Sequence, residues 1–257
     1  MNRTGLLVAL AVAVVVGLVF AIDPRLDLAV SALFFDPATK SFGGGYLPSM
    51  TRAREAAEWL ITALAAFAFV SLAGKLLWPR QRAPLRGRAA VFLLLSLALG
   101  PGILANAVLK DHWGRVRPID VTEFGGTGRF TPWWDPRGAC RANCSFIGGE
   151  PSGAFWTLAP AALAPPSWRP LAYAAALTFG ASVGLLRMAF GAHFLSDVVF
   201  SGVLTFLIIW VAYGLIYRWR RTKLSDEAWE RWIEHVALAP RRFFGSLFSG
   251  RARRERP

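Results

Sequence analysis

An all-α bundle of six transmembrane helices is the fold this sequence predicts, and three observations carry that prediction. Several apolar runs in the 257-residue chain reach the ~20 residues needed to cross a ~30 Å hydrocarbon core. The composition is 54% hydrophobic with a mean hydropathy of +0.41, and its apolar runs are longer than the stripes of a soluble domain. The basic residues gather in short loops that fall on one side when six spans are threaded.

The first run, Gly5 to Ile22, follows a short basic start at Arg3. It has the n-region and h-region of a signal peptide. A poor small-residue cleavage pattern and five further apolar segments mark it instead as an uncleaved first span. Residues 23–54 are too polar to cross and carry the turn signals Asp36-Pro37 and Gly43-Gly44-Gly45; their segment Leu26 to Phe35 is expected along the membrane interface. The second span runs from about Ala57 to Trp78, and the loop from Pro79 to Arg88 holds four arginines and no acid. The third runs from about Ala89 to Leu109, with a bend expected at Gly100-Pro101-Gly102. A long polar loop follows to about Glu150. The fourth span, about Ser152 to Ala164, is short and stops at Pro165-Pro166. The fifth covers about Leu171 to Phe190 and the sixth about Phe194 to Tyr217.

Arg3, the arginine loop, Arg169 and the segment after 217 then share one side, which the positive-inside rule makes cytoplasmic. Loops 23–56 and 110–150 lie outside, in the periplasm of a bacterial inner membrane. The chain divides into a membrane domain, 1–217, and a basic tail, 218–257, with eleven Lys/Arg against five Asp/Glu. Trp229, Trp232, Ile233 and Val236 recur there at helical spacing, as in an amphipathic helix lying on an anionic leaflet. A net charge of +13 would suggest nucleic acid in a soluble protein. Here topology and the anionic leaflet account for it, and no nucleic-acid partner is expected.

Three polar clusters stand at the rims of these spans, where ionisable groups are costly. Lys110, His112 and Arg117 close the third span, Glu150, Ser152 and Gly153 open the fourth, and Arg187, His193 and Asp197 join the fifth to the sixth. The threading brings all three to the same outer surface, although none was used to build it. Lys110, Arg117 and Arg187 supply three positive charges, and guanidinium forks match phosphate oxygens. Ser152-Gly153 at a helix start offers free N–H groups to an anion. His193 and Asp197, four residues apart, would share one helix face, the carboxylate holding one imidazole nitrogen and leaving the other as nucleophile or base. Each feature has a plainer reading: arginines at span ends snorkel, a lone histidine is often structural, and Ser-Gly caps helices. The joint pattern on one surface is what argues for phosphate chemistry.

Lys110-x6-Arg117-Pro118, a Pro-Ser-Gly turn and Arg187-x5-His193-x3-Asp197 resemble the three-part signature of the type 2 phosphatidic acid phosphatase superfamily. The run GPGILANAVLKDHWGRVRP, the Cys140/Cys144 pair before Ser145-Phe146, and GLLRMAFGAHFLSDVVF look most like its lipid A 4′-phosphatase branch. The resemblance implies a reaction without metal or other cofactor through a phosphohistidine. His193 would attack phosphorus, Asp197 would orient it, and the three cations would neutralise the phosphoryl group.

Two departures qualify it. Leu186 stands where the family has a serine before the arginine. Ala154 follows Pro151-Ser152-Gly153, where the family has a histidine thought to protonate the leaving alkoxide. In a second register Phe146-Ile147-Gly148-Gly149-Glu150 takes the place of Phe-Pro-Ser-Gly-His, so that Gly149 joins the anion turn and Glu150 takes the acid position. His112 is the other candidate acid. Cys140 and Cys144 are expected to pair in an oxidising periplasm, and Phe130, Trp133 and Trp134 to meet lipid. The reading that results is a phosphomonoester hydrolase acting on a membrane lipid, with lipid A 4′-phosphate, undecaprenyl diphosphate and phosphatidylglycerophosphate as candidate substrates. A lipid-phosphate binder without catalysis or an anion transporter is the contrasting class. The transporter would need polar groups at the midplane, where these spans are apolar.

Overall fold

The computed structural model of the chain describes residues 1–239 except 80 and 82, apart from the side chain of Tyr46. Five helices are long and apolar enough to cross a bilayer: α1 (Arg3–Ile22), α3 (Pro48–Leu77), α4 (Gly87–His112), α7 (Arg169–Ala189) and α8 (Leu195–Arg218). On α1, Leu7, Val8, Val14, Val15 and Leu18 are all exposed, a surface that only lipid covers favourably.

The expected fourth span is two short helices, α5 (Gly149–Phe155) and α6 (Leu158–Leu163). Neither is of span length. Their side chains face protein on nearly every side, with Ala154, Trp156 and Ala159 fully buried. The Trp156 indole donates to Ser96 Oγ and Leu93 O (3.1 and 3.2 Å), anchoring the break between the helices to α4. A broken helix at membrane depth is tolerated where protein surrounds it.

The bend expected at Gly100-Pro101-Gly102 is a change of helix type. α4 is an α-helix to Leu97, then widens into a π-helix over Ala98–Leu109. Pro101 has no N–H to give the preceding turn, and Asn106 Nδ2 donates to the Pro101 carbonyl at 2.8 Å.

Residues 23–47 do more than lie on an interface. Helix α2 (Arg25–Ala32) is followed by a two-stranded antiparallel hairpin, β1 (Phe35–Asp36) with β2 (Ser41–Phe42) in the register Phe35 opposite Phe42. Asp27 and Ser31 of α2 are buried. Phe42 of β2 packs with Val116, Val121, Phe124 and Phe194, so the segment docks over the rim of the bundle. The acid Asp27 finds fixed partners there, which a lipid interface would not offer.

The helices alternate in direction, and their contacts define two ends. α1 runs antiparallel to α8: Trp210 Nε1 donates to Asn2 O, Gly5 faces Phe206 and Gly17 faces Phe200. One end therefore carries Asp27, Arg54, Lys110, Glu150, Arg187 and His193, and the other Met1, Lys75, Arg88, Arg169 and Arg218. At that second end residues 226–239 form a helix, α9. Its Ile233 is buried against Gly87, Glu230 accepts from Gly87 N–H and pairs with Lys75, and Asp226 pairs with Arg88 at 2.9 Å. The predicted stripe is thus split: Ile233 and Trp229 pack on the bundle, while Trp232 and Val236 are exposed. The basic run expected after 239 lies outside the described residues, as do two arginines of the 79–88 loop.

Candidate active site

The loop after α4 folds back on itself before α5 begins. Cys140 N–H donates to Gly114 O, Cys144 N–H to Lys110 O and Ser145 N–H to Arg115 O, so residues 140–145 are tied back onto 110–115. A disulfide joins Cys140 to Cys144. Inside that small ring Asn143 adopts a left-handed φ of 54° and accepts two bonds from Arg117, on its carbonyl at 3.0 Å and its side-chain oxygen at 2.7 Å. Asn143 N–H in turn donates to Asp111. The ring aims the Arg117 guanidinium.

His193 lies in the turn between α7 and α8, a turn opened by Gly191 at φ +65°, where a Cβ would strike the Phe42 ring. Helix α8 starts only at Leu195, with Phe194 extended as its N-cap. His193 and Asp197 therefore do not share a helix face, and the carboxylate does not hold the imidazole directly. Nδ1 instead bonds the Ser145 carbonyl at 2.8 Å. A carbonyl only accepts, so Nδ1 carries the proton and the Nε2 lone pair is unspent. Burial, reinforced by Arg187 and Arg117 with Lys110, holds the imidazole well below its usual range and keeps it neutral.

Asp197 acts one step removed. Its Oδ2 accepts from the Ser145 hydroxyl at 2.5 Å and from Phe194 N–H at 2.9 Å, capping its own helix. Its Oδ1 takes Arg115 Nη1 at 2.5 Å. Arg115 is fully buried; it also pairs with Asp27 at 2.7 Å, donates to Ser196 Oγ and Thr131 O, and lies 4.4 Å over the Phe194 ring. Asp27 accepts from the N–H and hydroxyl of Ser196. Sequence reasoning missed Arg115, Asp27 and Ser145 as a unit, although Arg115 sits inside the Lys110–Arg117 run.

Around His193 the positive charge is only partly compensated. Among the described residues Lys110 forms no ion pair, and the Arg117 guanidinium bonds only Asn143. The Arg187 side chain is nearly buried, and its Nε stands 3.5 Å from Glu150 Oε1 without hydrogen-bond geometry, so that donor is unspent. Each of the three acts electrostatically on His193. Glu150 faces the same cluster, held by Arg54 through two bonds of 2.9 Å. Arg54, on the first turns of α3, is a fourth cation that no sequence signal placed here.

The remaining predicted residues divide. Gly149 opens α5, and a Cβ there would meet Asn106 Oδ1 at 2.3 Å. The N–H groups of Gly149 and Glu150 belong to the first turn, which has no intrahelical acceptors. Ser152 N–H already donates to Gly148 O at 2.9 Å, and Gly153 faces Ile61. Those two are interior to the helix, because it starts three residues earlier than the Pro-Ser-Gly register assumes. His112 is exposed and turns Nδ1 back to Val108 O in its own helix. It does not join the cluster.

A buried neutral imidazole with one free nitrogen, ringed by under-compensated cations at one end of an apolar bundle, defines a class. The chain belongs to the PAP2 superfamily, whose profile matches residues 89–221, and it is a membrane lipid phosphatase, a phosphoric monoester hydrolase. Its relatives narrow the comparison. The lipid A 4′-phosphatase of Francisella tularensis subsp. novicida (strain U112) is 34% identical over 219 residues, 85% of this chain and 98% of that protein. The lipid A 4′-phosphatase of Rhizobium leguminosarum is 40% identical over 117 residues, 46% of this chain and 50% of that one. That of Rhizobium etli is 36% identical over 127 residues, 49% of each. No solved structure matches the chain.

Proposed function

We propose that this protein removes the 4′-phosphate of lipid A at the periplasmic face of a bacterial inner membrane, through a phosphohistidine on His193. The observation that carries the mechanism is the His193 geometry: Nδ1–H is spent on Ser145 O, leaving Nε2 as the nucleophile among Lys110, Arg117 and Arg187. The three cations neutralise the phosphoryl oxygens as the Nε2–P bond forms and the P–O ester bond breaks. Asp197 is a positioning residue, acting through Ser145. Glu150 is the carboxyl group placed at this cluster to pass a proton to the departing alkoxide. Paired with Arg54 and Arg187 it is ionised, so it takes that proton from solvent when incoming phosphate displaces it from Arg187. Incoming phosphate competes with it for that guanidinium. Water then attacks the phosphohistidine, releasing phosphate and restoring neutral His193.

The substrate assignment rests on relatives named as lipid A 4′-phosphatases, one of them matched along nearly its whole length. The orientation is supported by the basic groups Lys75, Arg86, Arg88, Arg169 and Arg218 at the end opposite His193, which the positive-inside rule favours as cytoplasmic. The α5–α6 pair counts as the sixth crossing, because it carries the chain from the Glu150 end to the Arg169 end. Residues 1–217 then form the membrane domain, with 218–257 a cytoplasmic tail whose described part docks on it.

The deciding experiment is mass spectrometry of lipids from cells with and without the protein, paired with phosphate release from lipid A by purified protein. We expect lipid A to lose one phosphate mass only where the protein is present, and His193→Ala to abolish release. Unchanged lipid A together with loss of phosphate from another lipid would overturn the substrate.

A further inference from the structure

A cavity of about 1000 Å³ opens between α1, α7 and α8, at the end of the bundle opposite His193. Along α1 its wall runs from Asn2 to Val12, ten residues or ~15 Å, half the ~30 Å hydrocarbon core. Most of that wall is apolar, with Val8, Val12, Phe155 and Phe206 among its residues. Its outer end is different. Arg169 and Arg218 stand there with Tyr173, and no Asp or Glu lines the cavity. Among the described residues neither arginine has a carboxylate partner: Arg169 donates to Ala164 O, and Arg218 to Met1 O while stacking on Trp210 at 4.0 Å. Arg218 Nη2 and the Tyr173 hydroxyl are both buried and make no hydrogen bond.

Two guanidiniums without counter-charge and two orphaned buried donors are costly unless something satisfies them. An anion would supply both the acceptors and the counter-charge. A free anion would leave the ~15 Å apolar trough below it empty. We propose that this cavity binds one anionic phospholipid of the leaflet opposite the catalytic site, its phosphodiester on Arg169, Arg218 and Tyr173 and its acyl chains against α1 and α8. The depth of the groove equals one leaflet, and its charge complements the headgroup. This lipid is a bound companion of the fold; the hydrolytic centre lies at the other end.

The test uses the full chain in detergent, titrated with phosphatidylglycerol, phosphatidylcholine or inorganic phosphate, and read by native mass spectrometry and melting temperature. Wild type is expected to retain phosphatidylglycerol at least tenfold better than phosphatidylcholine and to melt higher with it, while any melting shift from inorganic phosphate, which also fits the His193 cations, is the same in wild type and in the arginine double variant. Arg169→Gln/Arg218→Gln should lose that preference. Val8→Trp, which fills the trough from an exposed position on α1, should lose retention with both arginines intact. Arg117→Ala, at the opposite end, should retain the lipid like wild type. Should the double variant not fold, Arg218→Lys with Val8→Trp decides the matter, the former keeping the lipid and the latter losing it. Retention of phosphatidylglycerol by either the double variant or Val8→Trp overturns the assignment. Equal retention of phosphatidylcholine does so as well, as does a melting shift from phosphate alone that the double variant removes.

Discussion

Asp197 and Ser145 are joined by a 2.5 Å hydrogen bond, and it is Ser145, through its carbonyl, that holds the His193 imidazole. The Asp197 carboxylate thus fixes a backbone segment, and the segment fixes the imidazole. Ser145→Ala keeps the carbonyl but frees it to drift. The lost bond to a charged acceptor should cost about 1.5–3 kcal/mol of stability. We expect kcat to fall about tenfold with KM nearly unchanged, because the phosphate cations are untouched. An unaltered kcat in steady-state assays would show that Asp197 does not act through this link.

Among the described residues Arg115 is the sole cation paired with the two buried carboxylates Asp27 and Asp197. Arg115→Met strands both, and breaking a buried pair in this way typically costs about 3–5 kcal/mol. Adding Asp27→Asn should recover part of the loss, since one stranded charge is removed. Unfolding in detergent monitored across the double-mutant cycle measures the coupling. Strictly additive losses would mean that the two residues do not interact energetically.

The neutral state of His193 predicts the acid limb of the pH profile. Its imidazole titrates well below the ordinary 6.5, because of burial first and then Arg187 and Arg117. As the nucleophile must be neutral, kcat/KM should hold through pH 6.5 and decline only at more acid pH. Arg187→Gln removes the cation that depresses His193 most and should move that limb upward while lowering the rate. Stability follows the same sign. Between the folded value and 6.5 the unfolded chain binds the extra proton, so stability is complete above 6.5 and declines as pH falls below it. A titration of His193 by NMR showing an ordinary value would contradict this.

Glu150 and His112 make opposite predictions. Glu150 is held by Arg54 and paired with Arg187, whereas His112 is exposed and bonded to its own helix. Glu150→Gln should lower kcat about 10²-fold or more, the range typical of a lost general acid. His112→Ala should change it less than threefold. The reverse outcome would return the proton-donor role to His112 and discard the Glu150 register.

Much of this site was legible in the residues alone. Lys110, Arg117, Arg187, Glu150 and His193 stand out because ionisable groups at the rims of apolar runs are expensive, and helices of span length carry them to a common end. Their partners were not legible. Arg54 meets Glu150 across 96 residues of chain, Arg115 meets Asp27 across 88, and Asp27 meets Ser196 across 169. Short-range periodicity holds no information about pairings of that separation. The His193–Asp197 spacing misled for a local reason: four residues imply one helix face only if the helix has begun, and Gly191 with the extended Phe194 delays it.

The sequence by itself determined that the chain is a membrane bundle, where its five long apolar helices run, and several of the charged side chains at one end of it. Hydrophobic length and the cost of burying charge act locally along the chain, so composition and spacing suffice to read them. Only the tertiary structure decided that the fourth apolar run breaks at Trp156 inside the protein, since apolar residues look alike whether lipid or protein covers them. It also decided that Asp197 reaches His193 by way of Ser145 and is neutralised by Arg115. Those bonds depend on hydrogen-bond directions between segments that meet only when the bundle has closed.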